Sequence, residues 1–318
     1  GDAGLDNTAL GGIGSGILIE NVGAHHNDFA GLILNGSDCI IRNSEFSYNG
    51  NAGLTSSNGI RMRLEGCTWH HNNTRVYHPG WNDGTKILNW IDCEIIGNHS
   101  YDERSALWLD INNRNVLVAE NLFENVQLGI YWEISRWAIV ANNVFRNCSR
   151  GVWSYGSDCL TTNNVFINCR ENVVYTTEIR CANYDHPHLC LNATRNNMAI
   201  NNVVVKPRWP SHLDYLYRMV GEEEPHGGNN SYIYNIEVDD DPFVDSANGD
   251  FRLRDEFKGK GKQVPVELNS VYTSGAMPWA KTLVEDCEEG DCEPLYESWY
   301  GSKHYRAQPL PEPMDIID

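Results

Sequence analysis

Acidic residues follow aromatic residues at one fixed spacing in short, apolar-alternating segments of the sequence. The pairs are Trp81 and Asp83, Trp108 and Asp110, and Tyr131 and Glu133; in a fourth pair, Trp153 and Tyr155, a phenol replaces the acid. Residues two apart in a β-strand lie on the same face of a sheet. If these segments are strands, the sequence predicts a column of rings beside a column of acids on one outer face.

The acidic column supports three interpretations. In the first, Asp110 and Glu133 are the general acid and the nucleophile or base of a glycosidase, with carboxyl groups near the ~5 Å separation of a retaining enzyme. In the second, Asp83, Asp110 and Glu133 bind Ca²⁺, because neighbouring acids repel one another unless a cation or proton lies between them. In the third, the acids form a solvated stripe on an acidic protein.

The aromatic column is a candidate sugar-binding surface. Exposed rings stack on the C–H faces of sugars, so the candidate substrate-binding residues are Trp81, Trp108, Tyr131, Trp153 and Tyr155. The same rings can instead stabilise a sheet by packing on their neighbours in adjacent strands. The sequence leaves ligand binding and packing open.

An internal repeat determines the fold that would position these residues. We aligned one strand position through the residues Ile33, Thr55, Trp81, Trp108, Tyr131, Trp153 and Val174, with steps of 22, 26, 27, 23, 22 and 21 residues. This period is too short for paired helices, and the frame of leucine-rich repeats is missing. Short strands broken by Asn, Gly and Asp are typical of a parallel β-helix, whose coils bury their apolar faces on one another.

The repeat makes further structural predictions. In the strands that carry the rings, the residues predicted to point inward are Leu107, Leu109, Ile111, Ile130, Trp132 and Ile134. A buried ladder is predicted at a turn, where Asn recurs as Asn43, Asn121, Asn143 and Asn164. The two longest steps predict insertions before Trp81 and Trp108, which would form a wall carrying Arg75, Tyr77 and His78, then residues 101–104.

The repeat resembles the right-handed parallel β-helix repeats of the pectate-lyase-like superfamily. The similarity lies in His78-Pro-Gly-Trp81, in residues 107–111 and 129–135, and in the closing segment 241–253, and it covers roughly residues 8–255. It implies an all-β, right-handed parallel β-helix of about eight to ten coils over residues 1–255, followed by an irregular extension over 256–318. The superfamily holds lyases, hydrolases, epimerases and non-catalytic adhesins, so the resemblance implies a fold more than an activity.

The resemblance also implies a lyase site, in which Ca²⁺ neutralises a uronate carboxylate. A lyase needs a base for the sugar C5 proton, and Lys86 is the candidate, with Arg75 and Arg104 as charge stabilisers. His78 is a candidate proton shuttle, although a histidine before Pro-Gly is also typical of a turn. The function expected from these residues is cleavage of a polysaccharide; the alternative is a non-catalytic glycan-binding or structural protein.

The composition of the chain limits the kinds of molecule that it could bind. The net charge of −19 argues against nucleic acid, whose phosphates are bound by Lys and Arg patches. No run of about 18 apolar residues predicts a membrane span. The first coil shows no cap in the sequence, so we expect a capping partner or self-association there. Zinc is not expected at His25-His26 or His70-His71, because adjacent residues in a turn rarely converge on one metal.

Ten cysteines and six Asn-x-Ser/Thr sites favour a secreted protein with disulfides and glycans. Two pairs are close in sequence, Cys181 with Cys190 and Cys287 with Cys292. The alternative is that the cysteines are free and stack in the core. Cys148 and Cys169 align one coil apart, and the sequence leaves open whether they are bonded or stacked.

Overall fold

The strands below come from a computed structural model, which describes residues 9–75, 84–177, 194, 196–205, 215–221, 230–233, 235–248 and 250–257. In chain order the strands are β1 (Leu10–Ser15), β2 (Leu18–Glu20), β3 (Gly23–His25), β4 (Ala30–Ser37), β5 (Ile40–Arg42), β6 (Glu45–Ser47), β7 (Ala52–Ser56), β8 (Gly59–Ile60), β9 (Arg63–Glu65), β10 (Thr68–His70), β11 (Thr85–Leu88), β12 (Trp90–Ile96), β13 (His99–Tyr101), β14 (Ser105–Asp110), β15 (Arg114–Ala119), β16 (Leu122–Glu124), β17 (Leu128–Ala141), β18 (Val144–Arg146), β19 (Arg150–Thr162), β20 (Val165–Ile167), β21 (Glu171–Thr177), β22 (Met198–Ile200), β23 (Val203–Val205), β24 (Tyr215–Gly221), β25 (Ser231–Ile233), β26 (Ile236–Val238), β27 (Phe243–Asp245) and β28 (Asp250–Leu253). Two 3-10 turns lie at Ser246–Asn248 and Asp255–Phe257.

The strands stack in parallel into three faces. The first face holds β1, β4, β7, β11, β14, β21 and β24 with the first halves of β17 and β19, whose second halves belong to the second face. These two faces therefore form one 17-stranded sheet, and the third face is a separate nine-stranded sheet. The described strands make nine coils, and the predicted all-β parallel β-helix is confirmed.

The interior is a continuous apolar stack. The inward positions predicted in the ring-bearing strands are confirmed for Leu107, Leu109, Ile130 and Trp132, which are fully buried in the main core. In the third face, the rings of three successive coils stack at centroid distances of 5.2 and 4.8 Å, in the order Phe123, Phe145 and Phe166. Each coil therefore packs its side chains on the equivalent side chains of the next coil.

An asparagine ladder closes the corner between the second and third faces. Its members are Asn98, Asn121, Asn143, Asn164, Asn202 and Asn235, and each side-chain amide donates to the next residue's Oδ1 at 2.8–3.0 Å. Each Oδ1 also accepts the backbone N–H of the preceding member. The prediction is confirmed for Asn121, Asn143 and Asn164.

Asn43 does not belong to the ladder. It lies one position earlier, exposed and left-handed with φ of 50°, and the ladder position is held by Ser44, whose hydroxyl accepts the Val22 N–H at 3.1 Å. Equivalent left-handed positions in later coils are Asn142 and Asn163. The sequence alignment was one residue out of register in this coil, because both positions can hold asparagine.

Six cysteines of the described residues are free and buried: Cys39, Cys67, Cys93, Cys148, Cys159 and Cys169. Cys148 and Cys169 are therefore stacked and unbonded, and they pack in the core. The other four cysteines lie outside the described residues. One candidate glycosylation site is also excluded, because Asn98 is fully buried in the ladder.

An antiparallel hairpin follows the last parallel coil. Its strands β27 and β28 lie in the segment that resembles the superfamily's closing segment. Phe243 packs on the outer surface of the third face against Val144, Val165 and Val203, and the Arg146 guanidinium donates to the Ser246 carbonyl at 2.9 Å. The predicted extension from residue 258 onward lies outside the described residues.

The opposite end of the solenoid exposes apolar residues. In the first coil Leu10, Ile13 and Leu18 are exposed, Ile13 with 86% of its surface. A capping partner or self-association at this coil stays a prediction. Within the described residues, no helix is long and apolar enough to cross a membrane.

Removing one rung of the asparagine ladder should destabilise the fold strongly. Asn143→Ala leaves the buried Asn121 N–H and the Val118 carbonyl without the partners that Asn143 supplies at 2.9 Å. We expect a loss of at least about 3 kcal/mol in the free energy of unfolding, measured by denaturant titration. Asn147→Gly removes rungs of an exposed ladder while keeping a left-handed residue, and should cost less than about 1 kcal/mol. If Asn143→Ala and Asn147→Gly lowered the free energy of unfolding equally, burial would not be what makes the inner ladder important.

Two buried carboxyl groups of the second face should make stability depend on pH. Burial raises the pKa of Glu94 and of Glu120 from 4.5 to about 7, against the lowering effect of Arg63. The folded state therefore keeps protons that the unfolded chain releases, and stability falls as the pH rises from about 4.5 to 7. For Glu94 the free energy of unfolding falls by at most about 3 kcal/mol over this pH range.

The measurement is the free energy of unfolding as a function of pH for three proteins. Glu94→Gln should lose less stability than the wild type between pH 4.5 and 7, since an amide does not titrate. Glu20→Gln changes a partly exposed ion pair with Arg42 and should keep the wild-type slope. A Glu94→Gln slope that matches the wild type would contradict the assignment.

Candidate functional site

The predicted ring column is wrong at one coil. In the first face Thr55 pairs with Lys86, which in turn pairs with Trp108, so Lys86 holds the place predicted for Trp81. The step from residue 55 to residue 86 is 31 residues, because the whole insertion precedes β11. Trp81 itself lies outside the described residues. The rest of the column is confirmed, since Trp108 pairs with Tyr131 and Tyr131 with Trp153.

The acidic column is also shorter than predicted. Leu88 pairs with Asp110 and holds the place predicted for Asp83, which lies outside the described residues. Asp110 and Glu133 are neighbours on adjacent coils, since the Ile111 N–H donates to the Glu133 carbonyl at 3.1 Å. Glu133 pairs with Tyr155 in the next coil. The described column therefore holds two acids and a phenol.

The second predicted insertion does not exist. The step from Lys86 to Trp108 is an ordinary 22 residues, and Tyr101 ends the regular strand β13. Glu103 is buried and accepts the Asn72 side-chain amide at 2.7 Å, while Arg104 is exposed. Residues 101–104 therefore continue the coil and form no wall. Of the first insertion, Tyr77 and His78 lie outside the described residues, and Arg75 is exposed and forms an ion pair with Asp28.

The rings of the column point away from the core but are not exposed. They form an apolar cluster separate from the main core. Trp108, Tyr131 and Tyr155 keep only 9%, 6% and 8% of their surface exposed. The predicted open aromatic surface is therefore wrong, because alternation along a strand fixes which way a ring points and not whether it is covered.

Charged and polar groups contact one another around Trp108, at one end of this ring cluster. The Lys86 ammonium lies 3.0 Å from Asp110 Oδ2 and 3.5 Å from the centre of the Trp108 ring. The Trp108 indole N–H donates to Glu133 Oε2 at 2.9 Å. Lys86, Asp110 and Glu133 are all buried. We call Lys86, Trp108, Asp110 and Glu133 the carboxylate cluster.

Burying these charges is tolerated because they compensate one another. An isolated buried carboxylate or ammonium costs several kcal/mol, and pairing with hydrogen bonding offsets that cost. Lys86 supplies, as a side chain, the cation that the repulsion argument required between neighbouring acids. No group of three His, Cys, Asp or Glu side chains in the described part of the chain can hold a metal ion. Calcium stays a prediction that depends on Asp83.

The more exposed end of the ring cluster carries a second cation. Trp153, which is partly buried, stacks on Tyr131 at 4.7 Å and donates its indole N–H to Thr176 Oγ1 at 2.8 Å. The Arg150 guanidinium lies 4.0 Å from the Trp153 ring centre and forms an ion pair with Glu171. Arg150 is not among the residues predicted from the sequence, although it precedes Trp153 by only three residues.

Comparison with known proteins agrees with the architecture. A family model described as the right handed beta helix region matches residues 9–171. The chain belongs to this right-handed β-helix family. The matched residues include all four members of the carboxylate cluster. They also include the rings Trp108, Tyr131 and Trp153 of the column. No curated protein matches the sequence.

Solved structures of the β-helix type resemble this chain at low identity. Pectate lyase Pel9A has a TM-score of 0.56 and 12% identity, covering 80% of this chain and 68% of that protein. The catalytic unit of a GH87 α-1,3-glucanase from Streptomyces thermodiastaticus gives 0.44 and 12%, with 74% and 52% covered. The AlgE6 A-module of an Azotobacter vinelandii mannuronan C-5 epimerase gives 0.49 and 13%, with 70% and 64% covered. At this identity the likeness shows the fold alone.

Two isoleucines of this β-helix adopt a backbone conformation that suits them poorly. Ile111 and Ile134 follow Asp110 and Glu133 directly, and both have φ of 47°. They were predicted to point into the core, but neither belongs to the main core. A β-branched residue in the left-handed region is an outlier that costs about 1–2 kcal/mol. Such strain often marks functional positions, and here it lies next to both carboxyl groups.

Relieving the strain should stabilise the protein. Asn tolerates the left-handed conformation, so Ile111→Asn should raise the free energy of unfolding by about 1 kcal/mol in a denaturant titration. Ile40, partly buried in β5 with an ordinary φ, is the matched control, and Ile40→Asn should lower it by at least about 1 kcal/mol. Equal losses in both variants would show that Ile111 is not strained.

Proposed function

We propose that this chain is an extracellular polysaccharide-active β-helix protein whose carboxylate cluster cleaves glycosidic bonds by hydrolysis. The observation that carries the proposal is the juxtaposition of Asp110 and Glu133 on adjacent coils with different partners, an ammonium and an indole N–H. The location outside the cell rests on composition. Pectate lyase Pel9A, by its name, is a polysaccharide-cleaving protein with this kind of fold.

The different partners support different roles for the two carboxyl groups. Asp110, with the Lys86 ammonium against it, is the carboxylate that serves as nucleophile or base. Glu133, with only 2% of its surface exposed, is the general acid. Lys86 then balances the negative charge of Asp110. Because its ammonium is paired with that carboxylate, Lys86 is a poor base for a lyase.

Sugar binding would use the more exposed end of the cluster. Trp153 offers a partly buried ring, and Arg150 next to it offers a guanidinium that can hydrogen-bond sugar hydroxyls or carboxylates. Adjacent coils repeat at ~4.8 Å, close to the length of one sugar unit, so a glycan chain could follow the coil axis. The substrate class we expect is a polysaccharide that passes Trp153 and reaches Glu133.

The test is incubation of the protein with a panel of neutral and acidic polysaccharides. We expect new reducing ends without the ultraviolet absorbance of unsaturated sugars, and a rate at least about 100-fold lower for Glu133→Gln. Glutamine keeps an acceptor for the Trp108 indole, so this variant should fold like the wild type in thermal unfolding. Glu20→Gln, far from the site on a partly exposed ion pair, should keep the full rate.

Three outcomes would overturn parts of this proposal. Full activity in Glu133→Gln would remove the site assignment while leaving a polysaccharide-cleaving protein. Unsaturated products would replace hydrolysis by elimination. Binding of a glycan without any cleavage would support the non-catalytic glycan-binding alternative. The burial of Trp108 and Tyr131 favours instead the structural version of that alternative, because buried rings also serve as packing.

A further inference from the structure

Two pairs of consecutive histidines lie at coil corners after the third face. In the pair His25 and His26 the Nδ1 atoms are 3.0 Å apart, and in the pair His70 and His71 they are 2.9 Å apart. The rings of each pair are nearly perpendicular, at 89° and 87°. The left-handed backbone of His26 and His71, with φ of 60° and 54°, turns the second ring back towards the first. In both pairs the two Nδ1 atoms therefore face each other.

The His70–His71 pair has carboxylates on its outer nitrogens. His70 Nε2 lies 3.3 Å from Glu45 Oε1, and His71 Nε2 lies 3.6 Å from Asp102 Oδ2. A carboxylate accepts a hydrogen bond from a protonated nitrogen, so Glu45 favours the tautomer of His70 with its proton on Nε2 and its lone pair on Nδ1. The 3.6 Å between His71 and Asp102 is an ion-pair distance, at which Asp102 attracts a positive His71 or an Nε2–H without a direct hydrogen bond. Two nitrogen lone pairs that face each other at 2.9 Å repel unless a proton or a cation joins them.

Both imidazoles are also held in orientation by tyrosine rings. His70 stacks on Tyr101 at 4.4 Å with 12° between the planes, and His71 stacks on Tyr48 at 4.9 Å with 21°. Each histidine therefore has one partner for its ring face and one for its outer nitrogen. A ligand whose ring is fixed in this way loses little freedom when it binds.

We propose that His70 and His71 bind a divalent first-row transition metal ion through their Nδ1 atoms, with Glu45 and Asp102 orienting the rings. Two cis ligands about 2.0–2.1 Å from a metal at 90° lie about 2.9 Å apart, whereas tetrahedral geometry needs about 3.3–3.4 Å. The observed 2.9 Å fits tetragonal or octahedral coordination. Cu²⁺ is the preferred ion, because it prefers tetragonal nitrogen ligands and has the highest affinity in the divalent series.

Water would complete the coordination sphere. Within the described residues no group of three potential ligands could hold a metal ion, so the chain supplies two nitrogens. The His25–His26 pair serves as an internal comparison, because it has similar nitrogen geometry, and within the described residues no carboxylate forms an ion pair with it. This inference does not depend on the proposed glycan-cleaving function.

The experiment titrates the metal-free full chain with Cu²⁺ in the presence of glycine as a weak competitor. Calorimetry gives the affinity, and electron paramagnetic resonance shows the number of imidazole nitrogens. We expect one site whose affinity falls at least about 10-fold in His71→Gln, and about 10-fold in Asp102→Asn, which loosens the ring. The double variant His25→Gln/His26→Gln should keep this site with its two-nitrogen signal.

Thermal unfolding without metal checks the fold of each variant; His71 is partly exposed, so His71→Gln should fold normally. Cu²⁺ should then raise the unfolding temperature of the wild type and not of His71→Gln. Unchanged Cu²⁺ affinity in His71→Gln would overturn the proposal and leave a hydrogen bond between the two Nδ1 atoms. Loss of the site in His25→Gln/His26→Gln would overturn it equally, and tighter binding of Zn²⁺ than of Cu²⁺ would overturn the geometry.

Discussion

Stacking of equivalent residues at ~4.8 Å is the constraint on which this structure depends. Every outward or inward side chain meets the corresponding side chain of the coils above and below, so a column is stable only if its members tolerate one another. Phenylalanines satisfy this by stacking. Asparagines satisfy it because an amide both donates and accepts, so that identical residues form a continuous ladder. Neighbouring acids satisfy it only when a cation compensates them, and the Lys86 ammonium lies against Asp110.

One corner of the solenoid shows how different residues solve the same backbone problem. The position after each strand of the third face is left-handed in seven successive coils, at His26, Tyr48, His71, Asp102, Asn125, Asn147 and Asn168. In the later coils amides hydrogen-bond along the column. In the early coils the rings of His26, Tyr48 and His71 stack on one another instead. Ring stacking thus offsets the cost of a left-handed conformation that bulky residues rarely adopt.

The sequence predicted the fold well because its signal repeats in every coil. The register of Trp108, Tyr131 and Trp153 follows from steps of 23 and 22 residues that match the period of the repeat, and a periodic pattern averages over local exceptions. Trp81 was aligned at the position that Lys86 holds, because the insertion before β11 breaks the period and Trp81 with Asp83 imitates the ring-and-acid spacing. Burial of the outer face was not predictable from alternation, which gives the direction of a side chain and carries no information about its cover.

The same constraint separates packing from chemistry in a solenoid. Stacking alone accounts for columns of like residues, since each member stabilises its neighbour. Contacts between unlike residues need another reason, and in this chain they include the ammonium against Asp110, the indole N–H against Glu133 and the carboxylate of Asp102 against His71. Two of these coincide with strained isoleucines, and the third with two converging imidazole nitrogens. Because stacking favours columns of like residues, these three contacts are the ones that stacking alone does not explain.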